Sequence, residues 1–100
     1  MTYVDTPDIG IGRSAIVRVD GRLVLVCRVP SGWRASDAVC PHQRRLMDGA
    51  RVIGGTIACP WHGARFDLDG GQSLSPDLTT TALRLYNCEE RGGRLVITLD

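Results

Sequence analysis

Cys40-Pro41-His42 and, further on, Cys59-Pro60-Trp61-His62-Gly63-Ala64-Arg65-Phe66-Asp67 are the two stretches that decide how this chain is read. Sixteen residues lie between the two cysteine–histidine pairs, and the pairs use both histidines of the 100-residue chain. Each pair brings one thiolate and one imidazole on a short segment stiffened by proline. Sulfur suits zinc and iron–sulfur centres, and imidazole suits zinc, copper and iron. Two cysteines with two histidines therefore fit a tetrahedral zinc ion. They equally fit a two-iron, two-sulfide centre in which one iron takes both cysteines and the other both histidines. A cysteine nucleophile is a poorer fit, since it needs one thiol, one base and a group to orient that base.

Outward from these stretches, apolar residues alternate with a period of two, and helical periodicity is nearly absent. Ala15-Ile16-Val17-Arg18-Val19 reads as a strand, and Asp20-Gly21 is a two-residue hairpin turn into a second strand, Arg22 to Val29. Pro30-Ser31-Gly32 turns the chain into Trp33 to Val39, which delivers the first pair. Gly54-Gly55 joins two short strands, 51–53 and 56–58, that deliver the second. Ala64 to Leu68, Leu83 to Cys88 and Leu95 to Leu99 complete the strands. The expectation is an all-β fold: one domain over residues 1–100, an antiparallel β-sandwich with a small lobe over about 38–67 made by the two ligand loops. Both pairs follow strands, on loops that a rigid scaffold can hold in place.

Bulk properties narrow the function. Twelve basic and eleven acidic residues leave a net charge of +1, too little basic excess to point to nucleic acid or an anionic membrane surface. No run approaches the ~20 apolar residues of a membrane span. Met1-Thr2-Tyr3-Val4-Asp5 lacks the basic and apolar regions of a secretory signal, so a cytoplasmic protein is expected. Cys27 and Cys88 lie in strand-like runs and read as small buried hydrophobes. Gly10-Ile11-Gly12-Arg13-Ser14-Ala15 matches a dinucleotide fingerprint, but no strand and helix flank it as that motif requires. Its glycines read as a turn before the first long strand.

The two pairs, their spacing and prolines, the Gly63-Ala64-Arg65-Phe66-Asp67 tail and the following Asp69-Gly70-Gly71 together resemble the Rieske iron–sulfur family. The likeness runs from about Val17 to Leu99. It implies one [2Fe–2S] cluster, with Cys40 and Cys59 on one iron and His42 and His62 on the other. Two ferric ions, two sulfides and two thiolates sum to zero charge, whereas four thiolates give a dianion, so histidine ligation raises the reduction potential. Oxidised iron also acidifies the remote imidazole N–H, which implies a pH-dependent potential. In high-potential members a disulfide joins the two loops; Arg45 and Trp61 stand at those places here. Ala64 and Phe66 stand where serine and tyrosine hydroxyls would donate to cluster sulfur. Fewer donors imply a low potential, around −150 mV.

Low-potential, single-domain members are typically soluble ferredoxins. The resemblance thus implies an electron carrier between a flavin-containing ferredoxin reductase and a terminal, aromatic-ring-hydroxylating oxygenase, with brief contacts near His42 and His62. Oxygenation within this chain would need a further iron held by two more histidines and a carboxylate, and no histidine remains. The small subunit of an assimilatory nitrite reductase is the second reading, and a structural zinc module the third. The first loop departs from the family pattern, because Arg44 occupies the usual glycine position. Arg44 and Arg45 read either as steering charges beside His42 or as solvated loop residues. Met47 and Trp61 read as shields of the centre, Trp61 alternatively as core, and Arg65 and Asp67 as surface or locally paired residues.

Overall fold

A computed structural model describes residues 1–42, 44–61 and 63–99. Nine strands and no helix occur among them: β1 (Thr2–Asp5), β2 (Ser14–Val19), β3 (Arg22–Val29), β4 (Gly32–Asp37), β5 (Arg51–Ile53), β6 (Thr56–Ala58), β7 (Arg65–Asp67), β8 (Leu85–Arg91) and β9 (Arg94–Thr98). All pairings are antiparallel. Six strands form one sheet in the order β1-β9-β8-β4-β3-β2, and three form a second in the order β5-β6-β7. The all-β fold expected from the alternation is present.

Local chemistry accounts for the hairpins. Asp20 and Gly21 both take positive φ, 50° and 79°, which suits the twist of a two-residue β-turn. Gly92 and Gly93 do the same between β8 and β9, at 58° and 78°. The large sheet bends at β8. Its first two residues pair with β4, as Ser36↔Leu85 and Ala35↔Tyr86, and residues 87–91 pair with β9 instead. The two halves so formed cover one core of Val19, Val24, Val26, Trp33, Ala35, Tyr86, Leu95 and Ile97.

Strand β3, next to the edge strand β2, is buried on both faces. Val24 and Val26 face that first core, while Leu25, Cys27 and Val29 face a second one shared with the small lobe. Ala38, Cys40, Met47, Val52, Ile57, Cys59, Ala64, Phe66 and Leu68 fill the second core. A strand with two cores needs apolar residues at successive positions, which is why Leu23 to Cys27 is an unbroken apolar run. The lobe is tied to the scaffold through its backbone. The Val52 amide donates to the Gly12 carbonyl at 3.1 Å, and the Ser14 hydroxyl donates to the Ala50 carbonyl at 2.6 Å. Gly10 to Ala15 thus form a turn and the start of β2, with no helix beside them.

Strand limits differ from the sequence expectation at several ends. β1 was not expected; it adds to the sheet only through its long-range pairing with β9, Thr2↔Ile97 to Asp5↔Arg94. β8 starts at Leu85 and runs on to Arg91, because Leu83 is held by a loop bond from its amide to the Gly71 carbonyl at 2.7 Å. Cys27 is fully buried, as expected, but Cys88 is only half-buried at the edge of the first core.

Candidate metal centre

The two cysteines sit at the necks of two matching loops. The Cys40 amide donates to the Arg45 carbonyl at 2.8 Å, and the Cys59 amide donates to the Ala64 carbonyl at 2.8 Å. In each loop the cysteine therefore closes onto the residue five positions later. The match extends further. Proline follows each cysteine, and the residue four positions after it takes positive φ: Arg44 at 56° and Gly63 at 73°. Another bond closes the first loop inside, from the Arg44 amide to the Cys40 carbonyl at 2.7 Å. The glycine place of the first loop thus keeps its left-handed conformation although arginine fills it.

Cys40 is fully buried and Cys59 is 2 % exposed, in a setting of Met47, Ile57, Ala64 and Phe66. Burial and a side-chain hydrogen bond with Cys40 push the Cys59 thiol up to about 11, partly offset by the Trp61 amide donating to its sulfur at 3.4 Å. Burial beside a second thiol thus disfavours the Cys59 thiolate, the form that binds metal. A metal supplies the compensating charge and deprotonates a coordinating thiol outright. The donor set fits a pair of iron-bound thiolates.

His42 is half-buried on the outer part of the first loop. His62, the fourth candidate ligand, lies outside the described residues, as does Gln43 beside His42. Among the described residues, no three metal-ligating side chains gather as a single-ion group. Ala64 and Phe66, both fully buried, bring no hydroxyl toward the cysteines.

A family model described as the Rieske [2Fe-2S] domain matches residues 3–87. The chain belongs to the Rieske [2Fe-2S] domain family. Its cofactor is accordingly one [2Fe–2S] cluster. This Rieske chain is 33% identical over 93 residues to the ferredoxin component of the naphthalene 1,2-dioxygenase/salicylate 5-hydroxylase systems of Ralstonia sp, covering 93% of this chain and 88% of that one. It is 29% identical over 99 residues to the ferredoxin component of the alkene monooxygenase system of Xanthobacter autotrophicus, covering 95% and 80%. A chain of the complex of reduced oxygenase and oxidized ferredoxin in carbazole 1,9a-dioxygenase superposes with TM-score 0.79 at 26% identity, over 91% and 93% of the two chains. A putative NADH-dependent nitrite reductase small subunit from Mycobacterium tuberculosis superposes with TM-score 0.80 at 21% identity, over 96% and 93%; that likeness is one of fold.

Two contacts here were not visible in the sequence. Trp61 is 40 % exposed, so it is a rim residue rather than core, and its indole N–H donates to the Leu46 carbonyl at 3.0 Å. The Arg45 guanidinium lies over the Trp61 ring, 4.7 Å from its centroid. Met47 is fully buried and shares the lobe core with Cys40. Arg65 is exposed, and Asp67 accepts the Asp69 amide at 3.2 Å in the following turn.

Proposed function

We propose that Cys40 and Cys59 hold one iron and His42 and His62 the other, and that the protein is an electron carrier rather than an enzyme in its own right. It takes single electrons from a flavin-containing ferredoxin reductase and gives them to a terminal, aromatic-ring-hydroxylating oxygenase. The bound cluster supplies a one-electron ferric/ferrous couple. The chain itself buries the sulfur side, with both cysteines in the lobe core, and keeps the His42 loop at the surface. Such burial directs exchange to the histidine edge, where both partners meet the same small patch in brief contacts below ~1,200 Å².

The observation that carries this reading is the near full-length likeness to ferredoxin components of oxygenase systems. A cytoplasmic setting is part of the same reading. No helix is long and apolar enough to cross a membrane among the described residues.

Reconstitution with a reductase and an oxygenase encoded beside it tests the proposal. Product should form only when all three proteins and a reduced nicotinamide are present. Reduction of nitrite by a partner subunit, with no aromatic hydroxylation, would favour the nitrite reductase reading instead.

A further inference from the structure

Each ligand loop is closed on itself by its own backbone, Cys40 to Arg45 and Cys59 to Ala64. Those bonds fix the shape of each loop and leave open what fixes one loop against the other. Four ligands can serve a rigid two-iron core only if the two loops keep their spacing. At the solvent rim one side chain bridges them. Trp61, from the second loop, spends its N–H on the Leu46 carbonyl and presents its face to the Arg45 guanidinium. Both acceptor and cation belong to the end of the first loop. Arg45 is exposed, and no carboxylate pairs with it among the described residues, whose ion pairs engage Arg34, Arg91 and Arg94. Its charge is therefore directed at the ring.

We propose that Arg45 and Trp61 form a non-covalent clasp that positions the two ligand loops relative to each other, and that retention of the bound centre depends on it. Both are positioning residues: they act through the loops on the ligands. The proposal rests on the ligand assignment given above, and its test separates the two.

The primary readout is the rate at which the visible colour of the loaded protein bleaches in excess iron chelator. Arg45→Ala should speed bleaching about two- to fivefold, the size expected of a cation–π contact at an exposed site. Arg45→Lys, which keeps a cation above the ring, should restore most of the retention. Trp61→Leu removes the ring and the N–H together and should speed bleaching about five- to fiftyfold. In that background Arg45→Ala should add nothing further. An equal Arg45→Ala effect with and without Trp61, or no effect in either, overturns the clasp.

A second readout needs no metal and covers the case in which Trp61→Leu fails to fold. With Trp33 replaced by phenylalanine, Trp61 is the only fluorescent indole, and Arg45→Ala should increase its quenching by acrylamide while Arg45→Lys should not. Unchanged quenching overturns the clasp. Failure of every variant and the parent to take up iron and sulfide would sink the ligand assignment, and the quenching result would still judge the clasp.

Discussion

Arg44 offers a clean measurement of backbone strain at the site. It holds φ at 56°, in the left-handed region, and Gly63 holds 73° at the matching place of the other loop. A left-handed L-residue costs about 1–2 kcal/mol. Glycine escapes that cost but gives back about 0.5–1 kcal/mol through its freer unfolded chain. Arg44→Ala keeps the strain and Arg44→Gly relieves it, while both remove the same charge, so their difference isolates the backbone. The glycine variant should be the more stable by about 1 kcal/mol, or about 4–8 °C in unfolding midpoint for a domain of this size. Gly63→Ala should be destabilising by a similar amount, because it introduces at the second loop what Arg44 carries at the first. Thermal unfolding followed by circular dichroism, on the cluster-loaded protein, reads all three. An Arg44→Gly variant no more stable than Arg44→Ala would refute the strain and with it the matching of the two loops.

Three further outcomes are expected. Burial, and secondarily Cys88, pushes the Cys27 thiol up to about 12 from an ordinary 9, so the folded chain holds a proton that the unfolded chain releases first. Stability is then fully present below pH 9 and is lost as pH rises from 9 toward 12, at up to about 1.4 kcal/mol per unit from this group; denaturant melts from pH 8 to 11 should show a shallower decline for Cys27→Ala. Gly71→Ala should unfold the lobe end at least about 2 kcal/mol more easily, since φ is 82° and a Cβ would collide with the Leu83 carbonyl; a midpoint like that of the parent in urea would contradict it. A redox titration should give a midpoint around −150 mV, because Ala64 and Phe66 carry no hydroxyl to donate to cluster sulfur; a clearly positive midpoint at neutral pH would count against that account.

The parts legible in the sequence are those set by local chemistry. Asp20-Gly21 announces its hairpin because few residue pairs accept two positive φ angles, and the Leu23 to Val29 run announces a buried strand because apolar residues at this density leave little choice. The ligand pairs were legible because a soft thiolate and an imidazole repeated at fixed spacing have few uses other than metal. What stayed hidden depends on long-range partners. β1 is four residues whose strand character comes from β9, more than ninety residues away at Thr2↔Ile97. Trp61 could be read as core or rim, since an indole satisfies both, and only the Leu46 carbonyl and Arg45 decide it. Arg44 departs from the glycine of the family pattern, and its side chain gave no sign that the loop keeps a left-handed turn there, with the Arg44 amide bonded back to Cys40.

The most direct test of the mixed-ligand centre is electron paramagnetic resonance of the dithionite-reduced protein, together with assay of iron and acid-labile sulfide. Two irons and two sulfides per chain, with a rhombic signal whose average g value lies below that of four-cysteine ferredoxins, is the expected result. A colourless protein with stoichiometric zinc and no inorganic sulfide after anaerobic reconstitution would contradict it.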